Sequence, residues 1–103
     1  MKPEAKVKLA VKQTLKRYGA YYFMPVQMGY GAPTLDFLGC HKGRAFAIET
    51  KAPGKTLTAR QEQTIEEMLK AGMKVFVIGD RYTRSDKHMG ELELEAWLLG
   101  LVP

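Results

Sequence analysis

The sequence predicts an α/β protein with element order αβββαβα, a mixed central sheet flanked by helices. Three observations carry that prediction. An N-terminal stretch repeats its apolar residues at helical spacing. Two β-like runs flank a glycine-containing turn and read as a hairpin. From residue 44 onward a strand, a helix and a second strand follow in order, the succession that joins parallel neighbours in a sheet.

Each element has its own warrant. Residues 3–18 read as a helix, because Pro3 suits a first helical position and Val7, Val11, Leu15 and Tyr18 recur on one side. Residues 20–26, AYYFMPV, form a short aromatic strand ended by Pro25, and residues 27–33 a glycine-punctuated loop. Residues 34–51 form a hairpin turning around His41-Lys42-Gly43, and residues 52–58, APGKTLT, a loop. A helix then runs from Thr58 with Ile65, Met68 and Leu69 inward and Gly72 just past its end. Residues 73–80 hold a VFVI run apolar enough for a doubly covered strand. Residues 81–90 are a polar loop, and residues 91–102 a closing helix that puts Trp97, Leu98, Leu99 and Leu101 in the core or in a dimer interface.

A chain of 103 residues, 46% hydrophobic and 26% charged, is one ordinary globular domain spanning 1–103. The single cysteine, Cys40, excludes an internal disulfide, fits a reducing cytoplasm and is expected to be a small buried side chain. No apolar run approaches the roughly 18 residues needed to span a bilayer, so no membrane role is expected. The net charge of +5 is concentrated in the first helix, where Lys2, Lys6, Lys8, Lys12, Lys16 and Arg17 face Glu4 alone. Such a segment suits a polyanion, nucleic acid first. A solvated lysine face that only keeps the protein soluble accounts for the charge equally well.

The residues that most need explaining are in AFAIETKAPGK, residues 45–55. Side chains alternate across a strand, so Glu49 and Lys51 share a face at the end of an apolar run. Folding the hairpin about residue 43 brings Asp36 within a residue or so of both. Two carboxylates in a partly buried place repel each other unless one takes a proton or a cation bridges them. Oxygen donors without histidine or thiolate suit Mg²⁺ or Mn²⁺. Lys51 could then stabilise charge developing on a phosphate or orient the attacking water. The bland alternative is a surface ion pair, with Asp36 as a turn residue.

The stretch GAPTLDFLGCHKGRAFAIETKAPGKTLTARQ also resembles the PD-(D/E)xK nuclease superfamily and, more narrowly, the VRR-NUC (virus-type replication-repair nuclease) domain. The likeness rests on Gly31-Ala32-Pro33, Asp36, Glu49-Thr50-Lys51, Ala52-Pro53-Gly54 and Gln61 in that order, and on MLKAGMKVFVI after them. It implies a restriction-endonuclease-like core and cleavage of DNA phosphodiester bonds. Asp36, Glu49 and the main-chain carbonyl of Thr50 would hold the metal, and Lys51 would act on the nucleophile or transition state. The family usually has aspartate directly after the proline; here Thr34 and Leu35 intervene, which reads as an insertion absorbed in the turn. A stand-alone domain of this size resembles phage or prophage proteins, implying a homodimer in the host cytoplasm that cuts branched DNA such as four-way junctions. The rival is a non-catalytic nucleic-acid-binding module on the same fold.

Two more residues join the candidate site. Gln61 follows Thr58 at capping-box spacing, which alone accounts for a glutamine, whereas the resemblance places such a residue near the metal. Glu4 falls inside the Val7–Val11–Leu15–Tyr18 stripe at about 100° per residue. A favourable carboxylate in a first helical turn needs no inward direction, and related nucleases often supply a glutamate from this helix. Lys8 and Lys12, beside that stripe, and Lys55 and Arg60 are the expected phosphate-backbone contacts. His41 and His88 read as surface residues. Tyr21, Tyr22, Phe23 and Tyr30 could stack on bases, though strand aromatics are more often core.

Overall fold

The computed structural model describes residues 1–26, 33–80 and 89–103. The elements are α1 (Pro3–Arg17), β1 (Tyr21–Phe23), β2 (Phe37–His41), β3 (Arg44–Lys55), α2 (Ala59–Lys70), β4 (Lys74–Asp80) and α3 (Met89–Leu98). This is the predicted αβββαβα order around a mixed sheet. The expectations for residues 27–32 and 81–88, including Tyr30, Gly31, Ala32 and His88, lie outside the described residues.

The sheet has strand order β1-β2-β3-β4. β1 pairs antiparallel with β2, and β2 antiparallel with β3 from Phe37↔Ile48 to His41↔Arg44. The turn between them uses Lys42 and Gly43 at φ 51° and 81°, the double positive φ of a type I′ hairpin. β3 and β4 pair in parallel from Phe46↔Lys74 to Thr50↔Ile78, with α2 making the crossover. β3 is therefore internal, and Phe46, Ala47, Ile48, Glu49 and Thr50 are all buried. The candidate carboxylate thus lies at the sheet centre, not on a rim.

The helices end as their sequences dictate. Glu4 lies in the first turn of α1 and Lys16 and Arg17 in the last, the order that suits the helix dipole. The chain leaves α1 through Gly19 at φ +72°, where the Ala20 and Gly19 N–H groups return to Leu15 and Lys16. The main core joins Val11 and Leu15 of α1, Phe37, Phe46, Ile48, Phe76 and Ile78 of the sheet, and Leu94, Trp97 and Leu98 of α3. Trp97 packs edge-on against Phe46 and Phe76 at 5.7 and 5.5 Å, and the Arg44 guanidinium lies 4.6 Å from the indole centre.

Several expectations are corrected. β3 does not stop at Lys51: it continues through Pro53-Gly54 to Lys55, with a register shift after Thr50. Between the Thr50↔Ile78 and Lys55↔Asp80 pairs β3 advances five residues and β4 two, so the strand takes up the extra residues in an irregular stretch and passes the proline and glycine without ending. His41 is buried, because it closes β2 and its Nε2 lies 3.0 Å from the Leu98 carbonyl oxygen. Cys40, its neighbour, takes the opposite face by strand alternation and is exposed. Tyr21 and Phe23 are exposed on the edge strand; only Tyr22 packs on the core. Leu69, Leu99 and Leu101 are also exposed, while Trp97 and Leu98 are core. Among the described residues no helix is long and apolar enough to cross a membrane.

Candidate active site

Asp36 precedes the first residue of β2. The Phe37↔Ile48 pair leaves it level with Glu49 on the neighbouring strand. Its carboxylate folds back onto β3: Oδ2 accepts from the Thr50 main-chain N–H at 3.0 Å and from the Thr50 hydroxyl at 2.6 Å. Two donors on one oxygen set the direction of the carboxylate. Thr34 and Leu35 separate Pro33 from Asp36, and Leu35 is fully buried, so it anchors the chain one residue before the carboxylate.

Glu49 is only 4% exposed. Its Oε2 accepts from the Gln61 side-chain amide at 3.0 Å and lies 3.9 Å from the Lys51 ammonium. Burial pushes its carboxyl up to about 7, and the adjacent Asp36 carboxylate adds to the rise. Lys51 and the Asp36 main-chain N–H pull the other way, and Glu4 contributes a smaller push upward. The net balance leaves a buried carboxyl that is short of positive charge.

Gln61 makes the capping box and also reaches Glu49. Its Oε1 accepts from the Thr58 N–H at 3.0 Å, and its own N–H donates to the Thr58 hydroxyl at 3.1 Å, a complete capping box. Its Nε2 is left to hold Glu49. One side chain therefore ties the start of α2 to the centre of β3.

Glu4 and Lys8 reach the site as a pair. Lys8 Nζ lies 3.6 Å from Glu4 Oε2 and 3.9 Å from Asp36 Oδ1. The structure thus places Lys8 beside the carboxylates, whereas Lys12, Lys55 and Arg60 are exposed. Thr50 is fully buried, and it is its hydroxyl and N–H that hold Asp36. Reading Thr50 only for its carbonyl missed that contact.

Gly79 also belongs to this description and was not singled out from sequence. It sits in β4 at φ +92°, and a Cβ there would be driven into the Lys51 carbonyl oxygen. The close approach of the two backbones comes where the β3–β4 register breaks, just after Thr50. A glycine inside an otherwise apolar strand was the available signal.

The donor set fits a hard divalent cation. Among the described residues no three His, Cys, Asp or Glu side chains form a metal-holding group. Mg²⁺, however, is commonly bound through one or two carboxylates, with water and substrate phosphate supplying the rest. Asp36 and Glu49 offer that pair, and the raised carboxyl of Glu49 marks a place where added positive charge is favourable.

No family model matches the sequence, and no curated protein matches it. Among solved structures the chain is similar to one described as "VRR_NUC domain", at 20% identity with a TM-score of 0.74. The match covers 94% of this chain and 99% of that one. The fold is therefore that of a VRR_NUC domain, with its mixed four-stranded sheet and flanking helices.

Proposed function

We propose that the protein is a divalent-metal-dependent endonuclease acting on DNA phosphodiester bonds. The observation that supports this most is Glu49, buried beside Asp36 with Lys51 and Gln61 on the same oxygen. A salt bridge at a sheet end accounts for Glu49–Lys51 but not for burying Glu49 beside a second carboxylate, Asp36.

Asp36 and Glu49, with the Thr50 carbonyl, would hold Mg²⁺ or Mn²⁺. When bound, the cation supplies Lewis-acid polarisation of a phosphoryl oxygen and lowers the pKa of water. Thr50 and Gln61 orient the two carboxylates before substrate arrives, so little reorganisation is needed at reaction. Lys51, held at 3.9 Å from Glu49, stabilises negative charge on the phosphate undergoing attack or orients the water. The exposed Lys12, Lys55 and Arg60, with Lys8, grip the backbone without reading sequence.

A binder that reads no bases selects by DNA shape, and branched or four-way junction DNA is the proposed substrate. Cutting two strands needs two active sites, which a homodimer supplies. The proposed setting is a cytoplasm, the host's if the protein is phage-encoded. The test is incubation with junction, flap and linear duplex DNA in Mg²⁺, in Mn²⁺ and in EDTA. Cleavage with either metal, abolished by EDTA and strongest on branched DNA, is expected. Salt-sensitive binding without cleavage would instead identify a non-catalytic binding module.

A further inference from the structure

Lys8 is an anomaly on a lysine-rich helix. Its side chain is 31% exposed, and it lies within ion-pair distance of two carboxylates on different elements, Glu4 and Asp36. Pro3 starts α1 so that Glu4 and Lys8 stand one turn apart, the spacing at which opposite charges meet. Asp36 is fixed through Oδ2 by Thr50, so Oδ1 is the oxygen facing Lys8 and the one open to exchange. Glu4, whose side chain is 45% exposed, offers Lys8 a second partner one turn back along the helix.

We propose that Lys8 is the resting counter-ion of the carboxylate site, and that Glu4 acts on the site through Lys8. The proposal rests on the reading of Asp36 and Glu49 as cation ligands. A dication on Asp36 Oδ1 repels an ammonium held at that same oxygen, so cation binding and the Lys8–Asp36 pair compete. When a dication takes Asp36, Lys8 withdraws onto Glu4 by a side-chain rotation alone. Glu4 is then a positioning residue that stabilises the withdrawn state. Metal affinity in the absence of DNA is set by this competition. The ammonium released from Asp36 is left beside the site where a phosphate would lie.

The test is Mn²⁺ titration of metal-free protein at low ionic strength, reading free Mn²⁺ by electron paramagnetic resonance and heat by calorimetry. Lys8→Met is expected to bind Mn²⁺ about tenfold more tightly than wild type, the size expected for removing a nearby unit charge from a largely hydrated site. Glu4→Gln is expected to bind several-fold more weakly. In the double variant, Glu4→Gln is expected to change affinity by less than about twofold, because its route to the metal has gone. Lys8→Gln, of similar length, is expected to repeat Lys8→Met, and thermal unfolding confirms that each variant is folded. Unchanged or weaker Mn²⁺ binding by both Lys8 variants overturns the proposal. So does a Glu4→Gln penalty that persists undiminished in the Lys8→Met background, which would show Glu4 acting on the cation without Lys8. Absence of Mn²⁺ binding by wild type and every variant overturns the underlying metal-site reading along with it.

Discussion

Replacing Glu49 by glutamine should make the metal-free protein more stable at alkaline pH while destroying the site. The Glu49 carboxyl is raised from 4.5 to about 7 in the fold. Above pH 7 it is ionised in both folded and unfolded chains, and the fold bears the whole cost of the buried charge. As pH falls through 7 the folded protein takes up a proton first, and the cost is relieved. Below about 4.5 both states are neutral and the difference is gone. The shift corresponds to roughly 3 kcal/mol at pH 8. Glu49→Gln keeps the shape and can still accept from the Gln61 amide, and because the raised value already includes the attraction of Lys51, the gain at pH 8 is the whole of that difference, about 3 kcal/mol. That is about 12–24 °C in melting temperature for a chain of this size. Urea and thermal unfolding in EDTA at pH 8 and pH 5 measure it. The variant should be clearly more stable at pH 8, with its advantage reduced to under about 1 kcal/mol at pH 5. A variant less stable than wild type at pH 8, or a difference independent of pH, refutes the charge balance drawn for this site.

Other outcomes follow from the same contacts. Gln61→Ala should cost about 1 kcal/mol through the lost cap and slow cleavage further by freeing Glu49; Gln61→Glu, which keeps the capping box but sets another carboxylate against Glu49, should lose both activity and stability at neutral pH. Gly79→Ala should destabilise by about 3 kcal/mol or more in chemical unfolding, since positive φ and collision with the Lys51 carbonyl combine. Removing Lys12, Lys55 and Arg60 together should weaken DNA binding about equally across sequences and flatten its dependence on log salt concentration, read by fluorescence anisotropy over a salt series.

Much of this architecture was legible because local and long-range signals agree. Helical spacing in residues 3–18, the Lys42-Gly43 turn and the Thr58–Gln61 box each name an element, and the structure contains each of them. Glu49 and Lys51 were legible through strand alternation alone. What escaped depends on contacts between distant segments. The continuation of β3 past Pro53 is possible because the register shift after Thr50 absorbs the extra residues, and composition alone reads APG as a stop. His41 is buried by α3, whose Leu98 carbonyl lies beside it, a contact 57 residues away in sequence. Exposure of Tyr21 and Phe23 depends on which strand becomes the edge, and aromatic content does not reveal that. At the site, the wheel geometry of α1 placed Glu4 inward and Lys8 aside. The structure turns Lys8 toward Asp36, because a long flexible side chain follows charge rather than its Cβ direction.

The central claim is that Asp36, Glu49 and Lys51 form a phosphodiester-cleaving centre. Single-turnover cleavage of a junction DNA in Mg²⁺, comparing wild type with Lys51→Ala at saturating protein, tests it most directly. Lys51→Ala is expected to bind the junction nearly as tightly but to cleave it about 10²–10³-fold more slowly, the loss typical of one charge-stabilising group. Equal cleavage rates for the two proteins, or no cleavage by wild type on any DNA with either metal, would contradict it.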